Sequence, residues 1–393
     1  MASPQRQLAA TLPEKRSVTP SDTNLKLRRW SKKLGVLLRP NALNMLGRRL
    51  VSTTNRRWTY SESAVKSSCV ILAYHRVTTL ATDPQMLAVR PANFAAQLAA
   101  LRDRFNVISL RELARRLVTG EPLSGAVAVT FDDGYADNFL EAKPLLERYS
   151  VPATVFIASN HIGLSTEFWW DELDRLLLQP GTLPRTLRLN IGGHDYSWDL
   201  GDDAHYTAAH FEHDLSWNVT QPDSVTRRHQ LYRTLHGLLG FLSFVHREQV
   251  LDALRTWAGK ESPGRPTHRP LTEVEAITLA AGGLVEIGAH TATHPVLSML
   301  TLKEQETEIR RSKQCLEEML GRPVKSFAYP YGALSDYKGE TVRLVKAMDF
   351  DCACSTFTDV VTPGCDRFQL PRFMVRDWDG EEFTRRLRMW MQR

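Results

Sequence analysis

The feature that most constrains this fold is an alternation of short apolar runs with longer helical text. CVILAY (69–74), AVAVTF (126–131), ATVFIA (153–158), LVEIGA (284–289), KSFAYP (325–330) and DCACST (351–356) are the short runs. They are rich in β-branched and aromatic residues and largely unbroken by charge, which suits strands buried on both faces of a parallel sheet. Between them, FAAQLAALRDRF (94–105), LEAKPLLERY (140–149) and residues 302–319 carry apolar residues at helical spacing. The succession predicts an α/β fold. With six or more such strands it predicts a distorted (β/α) barrel of about seven parallel strands, TIM-like, with its chemistry at the C-terminal strand ends. Residues 180–270 break the rhythm: LRLNIGGHDYSWDL predicts a hairpin turning at Gly192 and Gly193, followed by helical text from Arg227 to Trp257. This segment reads as an insertion on the barrel rim, not a separate domain.

Charge divides the chain in two. The net charge is +6, but residues 1–66 carry +11 and the rest −5. Residues 1–66 therefore form a basic N-terminal arm, and residues 67–393 form the barrel with its insertion. The Ser, Thr, Pro and Gln content of residues 1–25 predicts disorder. Residues 25–51 place Leu, Trp and Val among Arg and Lys, and Pro40 interrupts them. That pattern predicts two short amphipathic helices that either touch an anionic membrane or dock on the body. The acidic body lacks a basic track, so no nucleic-acid partner is expected. The cysteines Cys69, Cys315, Cys352, Cys354 and Cys365 form no CxxC pair, and a reducing compartment is expected. No run approaches the roughly 18 apolar residues of a membrane span. With no export signal in residues 1–30, the expected location is cytoplasmic, peripheral at the inner membrane face; the sequence leaves the oligomeric state open.

The unusual polar clusters follow the predicted strands. AVAVTF runs into Asp132, Asp133, Gly134 and Tyr135. Adjacent carboxylates point in different directions, so one can bind a metal while the other takes a proton; Asp-Asp-Gly is also ordinary turn chemistry. LVEIGA ends in His290-Thr291-Ala292-Thr293-His294-Pro295. Two imidazoles four apart can share one cation, although a strand-end His can equally cap a turn. Without a Glu at 291 the pair is not the HExxH of a zincin protease. Two His and one Asp leave open positions for water and substrate, the pattern of a hydrolytic metal site.

TFDDGYADN (130–138), HTATHP (290–295) and FAYPYG (327–332) together resemble the polysaccharide deacetylase family, carbohydrate esterases with a NodB homology domain. The resemblance extends over roughly residues 69–380. It implies that Asp132 is the catalytic base and that Asp133, His290 and His294 bind a divalent metal, usually zinc. The Tyr331 backbone N–H would then hold the oxyanion. The implied reaction is hydrolysis of acetyl groups, foremost the N-acetyl groups of amino sugars, on a polysaccharide or glycan precursor. The family's usual general acid is a His near the C-terminus, and no His follows Arg372. ILAYH (71–75) looks like that motif moved to the front of the barrel by circular permutation, making His75 the candidate acid. Where many members carry the Arg that steers the base, this chain has Ala328; Arg372 is the candidate replacement and Arg76 its rival. Should neither serve, the alternative is a catalytically inactive glycan-binding module. Tyr135, Trp170 and Tyr329 are the candidate sugar-stacking residues, with Trp169 adjacent and Asp171 as polar neighbour. If Trp169 and Trp170 lie on a strand, only one can face a groove. Asp137 and Asn138 are expected to cap the following helix, and Thr291 and Thr293 to satisfy local backbone or orient the ligands.

Overall fold

The computed structural model describes residues 68–260 and 264–392. The basic arm, with its expected helices and membrane contact at 25–51, lies outside the described residues. Seven strands form one curled parallel sheet: β1 (Cys69–Tyr74), β2 (Ala126–Phe131), β3 (Ala153–Ile157), β4 (Val285–Ala289), β5 (Ser326–Ala328), β6 (Cys352–Cys354) and β7 (Phe373–Met374). Their order is β6-β5-β4-β3-β2-β1-β7, and a short extra strand, Asn106–Val107, pairs with the start of β2. The expected barrel is thus present as a curled half-barrel. A single bridge, Cys354 to Leu370, links β6 to the segment that leads into β7.

The first and last strands are neighbours: Leu72 and Ala73 pair with Phe373 and Met374. Every residue of β1 and β2 is buried, because helices cover the outer face and side chains fill the lumen. Burying each Val, Leu or Ile contributes roughly 1.5–3 kcal/mol, so continuous apolar text is what this position demands. The lumen is lined by small residues, among them Ala126, Ala128, Ala328, Cys352 and Cys354, around Phe156. Gly288 on β4 has to be glycine, since a Cβ there would lie 2.4 Å from the Phe156 ring. All five cysteines are free thiols.

The segment from 180 to 270 forms the hairpin Thr186–Ile191 and His194–Asp199, then helices at Ala208–Asp214, Arg227–Leu239 and Phe244–Ala258. On the hairpin, Leu187, Leu189 and Ile191 face inward while Arg188 and Asn190 face solvent. Trp169 and Trp170 begin a helix, Trp169–Leu177, so the strand condition on which only one could face a groove does not apply. Asp171 and Glu172 in the first turn of this helix and Arg175 in its last complement the helix dipole. Among the described residues, no helix is long and apolar enough to cross a membrane.

Candidate active site

Asp132, Asp133, His290, Tyr331 and His75 all follow the C-terminal ends of strands, so the curled sheet delivers them to one rim. The backbone there is unusual. Asp133, Thr291, His294 and Tyr331 have φ values of 74°, 63°, 55° and 60°, a region non-glycine residues seldom occupy. Each such residue costs of order 1–3 kcal/mol and persists where the surroundings enforce it. Around Asp133 the Gly134 N–H donates to Asp132 O at 3.0 Å, and around Tyr331 the Gly332 N–H donates to Pro330 O at 2.6 Å. Both are γ-turns. The first turns the two carboxylates apart, and Gly134, at φ 85°, packs where a Cβ would meet Ile157 at 2.9 Å.

Asp132 is paired with Arg372, which donates from Nη1 to Oδ1 and from Nη2 to Oδ2, both at 2.7 Å. Both residues are buried. Arg372 also donates to Ser355 O and Thr130 Oγ1, and its guanidinium lies 5.7 Å over Phe156. Ala328, the position at which the resemblance led to an expected Arg, belongs to the same lumen cluster as Phe156. Arg76 is engaged elsewhere, its Nε donating to Asp137 Oδ2 at 3.0 Å and its guanidinium lying 4.3 Å over the Tyr135 ring. Burial alone raises the Asp132 pKa, but Arg372 and the nearby His290 outweigh it and hold the carboxyl well below the usual carboxylate range.

Asp133, by contrast, contacts the two imidazoles. Its Oδ1 lies 3.6 Å from His290 Nε2 and 3.3 Å from His294 Nε2, and one ligand atom from each of the three residues falls within 4.8 Å of the others. His290 Nδ1 is 2.8 Å from Ala328 O. A carbonyl can only accept, so Nδ1 carries the proton and Nε2 presents a lone pair toward the carboxylate. Burial lowers the pKa of His290 to about 4 and of His294 to about 3, so both are neutral near pH 7. Burial raises the Asp133 pKa, so the carboxylate oxygen and the Nε2 lone pair of His290 converge on a place where a positive charge, a proton or a metal ion, is stabilised by both. The donor set of one carboxylate and two imidazoles therefore fits a divalent metal.

The HTATHP turn is braced from two sides. The Thr291 hydroxyl donates to His290 O at 2.5 Å and accepts from His294 N at 3.1 Å. Glu308 accepts from the N–H groups of Ala292 and Thr293 at 3.1 and 2.8 Å and from the Thr293 hydroxyl at 2.9 Å. Arg247, from helix Phe244–Ala258, is buried and donates to Thr293 O at 3.2 Å. Neither Glu308 nor Arg247 stood out in the sequence, yet signals exist. Glu308 borders the buried stripe Gln305, Ile309, Ser312 and Leu316, and Arg247 occupies the stripe continued by Val250, Leu251 and Leu254.

His75 follows β1 directly and is partly exposed. Burial lowers its pKa, against the pull of the Asp133 and Asp132 carboxylates. Among the described residues, the Tyr331 backbone N–H donates to no other group.

The aromatic residues differ from expectation. Tyr329 points away from the rim into the helix-covered core: its ring stacks 4.0 Å from Tyr337 and its hydroxyl donates to Phe368 O at 2.9 Å. Tyr135 is fully buried. Its hydroxyl accepts from Trp170 Nε1 and donates to Asp171 Oδ2, both at 2.7 Å. Trp170 is 5% exposed, sandwiched between Phe168 at 4.9 Å and His294 at 5.2 Å. None of the three leaves a free face for a pyranose ring; Trp170 instead packs against His294 of the HTATHP turn. Asp137 and Asn138 do not cap the following helix. Their side chains reach the segment His75–Val77, 60–63 residues earlier in the chain.

The family model for polysaccharide deacetylases matches residues 119–233 and 255–353. That span includes Asp132, Asp133, His290, His294 and Tyr331, and leaves His75 and Arg372 outside. A Bacillus subtilis (strain 168) protein named as a polysaccharide deacetylase, YxkH, is 32% identical over 108 residues, 27% of this chain and 37% of that protein. The poly-β-1,6-N-acetyl-D-glucosamine N-deacetylase of Escherichia coli (strain K12) is 31% identical over 86 residues, 21% of this chain and 13% of that enzyme. The matched stretch thus spans well under half of either relative. Among solved structures, the Streptococcus pyogenes deacetylase PplD in complex with acetate aligns with TM-score 0.50 and 17% identity, covering 83% of this chain and 99% of that one. IcaB from Ammonifex degensii aligns with TM-score 0.50 and 18% identity, covering 83% and 98%. At such identities the structural likeness speaks to the fold alone. The motifs, the half-barrel and the family match together place this chain in the polysaccharide deacetylase family.

Proposed function

We propose that this protein is a metal-dependent deacetylase that hydrolyses N-acetyl groups of amino sugars in a polysaccharide or glycan precursor. The observation that carries the reading is the meeting, on one rim, of the Asp133, His290 and His294 donor set with the Asp132–Arg372 pair. Asp133, His290 and His294 are the residues that would hold the cation, with zinc the expected metal. A divalent ion bound there would polarise the acetyl carbonyl and acidify a water.

The chain's own groups supply the rest. Asp132, kept ionised by Arg372, takes a proton from the water as its oxygen bonds to the acetyl carbon. A strongly paired carboxylate is a weak base, so the arrangement requires the water to be acidified. The Tyr331 N–H, free of other partners among the described residues, donates to the oxyanion of the tetrahedral intermediate. As that intermediate collapses, the C–N bond breaks and His75 gives a proton to the departing nitrogen, leaving acetate and a free amine. The inactive-module reading rested on the missing Arg at 328, and it loses that ground because Arg372 reaches Asp132. The test is acetate release from N-acetylglucosamine oligomers by the purified chain, with and without added zinc and chelator. Zinc-restored, chelator-sensitive release is expected; release indifferent to both would refute the metal-dependent reading.

A further inference from the structure

The tail of TFDDGYADN does work that turn chemistry does not explain. Asn138 Nδ2 donates to His75 O at 2.8 Å. Asp137 Oδ1 accepts the Val77 N–H at 3.0 Å, and its Oδ2 accepts Arg76 Nε at 3.0 Å. The Arg76 guanidinium in turn lies 4.3 Å over the Tyr135 ring and donates to Thr267 O. All four side chains are buried: Arg76 and Asn138 are 1% exposed, Asp137 7% and Tyr135 0%. They grip three consecutive residues, His75, Arg76 and Val77, just where the chain leaves β1. Beyond this grip, Arg76–Val77 is held by a two-residue ladder with Ala88–Val89.

From this geometry we propose that Asp137 and Asn138 are positioning residues that set the direction of the His75 imidazole across the site. The inference rests on the reading of His75 as general acid. The physical reason is lever-like: the direction of a side chain follows from the backbone dihedrals at its own residue. Asn138 fixes the carbonyl of His75 itself, and Asp137 holds the peptide after that, through the Val77 N–H and the Arg76 side chain, so that the His75 carbonyl is anchored on a fixed segment. The same nine-residue stretch, 130–138, presents Asp132 at its start and holds the His75 segment at its end, so one turn sets the spacing between proposed base and proposed acid. A misplacement near 1 Å can cost on the order of 100-fold in rate, which gives such a brace a role beyond stability.

The test compares two acetyl donors. N-acetylglucosamine oligomers have an amine leaving group that must be protonated, whereas 4-nitrophenyl acetate expels a phenolate that needs no acid. Asn138→Ala should lower kcat on the oligomer about 10- to 100-fold with KM within about twofold, while ester hydrolysis stays within about twofold of wild type. Asp137→Asn keeps the acceptor for Val77 and weakens only the hold on Arg76, so it should fall between. Parallel losses on both donors, or no loss on either, would overturn the proposal. If wild type releases acetate from neither donor, the function fails first and the brace is judged by NMR. The His75 ring resonances should then shift or broaden in Asn138→Ala, and unchanged resonances would overturn it.

Discussion

Replacing Arg372 by Met removes the guanidinium and keeps most of the side-chain volume. Asp132 is 3% exposed, so the variant leaves a buried carboxylate without its two 2.7 Å donors. Removing one partner of such a buried pair costs about 3–5 kcal/mol, which for a domain of this size lowers Tm by about 4–7 °C. The pH dependence should change sign as well. In wild type the folded pKa of Asp132 lies below its unfolded value of about 3.9, so the pair contributes stability that is fully present above about pH 4 and lost as the pH falls further. In Arg372→Met burial remains while its main opponent is gone, and the folded pKa rises above the unfolded one. The ionised group then destabilises the variant at neutral pH, and part of the loss is recovered as the pH falls through the raised value. The acid limb of the pH–rate profile moves upward for the same reason. Urea unfolding of metal-stripped and zinc-loaded protein from pH 5 to 8, together with that profile, measures both effects. The double variant Asp132→Asn, Arg372→Met should be more stable than Arg372→Met alone. A wild-type unfolding midpoint at pH 7 with an unshifted acid limb would refute the assignment of Arg372 to Asp132.

His290→Ala or His294→Ala should abolish stoichiometric zinc uptake, read by elemental analysis of desalted protein, and abolish acetate release with it. Glu308→Ala leaves the proposed ligands in place but frees the Ala292 and Thr293 N–H groups; competition with a chelating dye should show zinc affinity lowered about 10- to 100-fold. Tyr329→Phe should cost about 1 kcal/mol in urea unfolding through its lost bond to Phe368 O and leave KM for the oligomer unchanged, whereas a sugar-stacking residue would also show itself in KM when replaced by Leu. His75→Gln should lower oligomer turnover by about 100- to 10,000-fold and spare 4-nitrophenyl acetate.

Six of the seven main strands were legible because a parallel sheet demands uninterrupted apolar text, whereas the two-residue β7, Phe373–Met374, is too short to show such a run; the proposed base and metal ligands were legible because they stand at or just after the points where such text stops. What the sequence concealed was long-range. Asp137 and Asn138 stand at a helix start, where Asp and Asn ordinarily cap, and their partners lie 60–63 residues away. The two tryptophans invite a strand reading by aromatic β propensity, although the acidic first turn after them carries the helix signal. Tyr329 could have been placed from parity: Phe327 and Tyr329 share the helix-covered face of β5, with Ala328 in the lumen between them. Arg372 reaches Asp132 over the Phe156 ring from 240 residues further along the chain, a pairing that no local pattern displays.

The central claim, that metal and base are separate parts of one hydrolytic site, is tested most directly in Asp132→Asn. Elemental analysis and acetate release from N-acetylglucosamine oligomers are measured on the same sample. The account predicts zinc bound as in wild type, through the intact Asp133, His290 and His294, with acetate release lowered at least about 100-fold. A variant that turns over as wild type does, or one that loses its zinc with its activity, would contradict it.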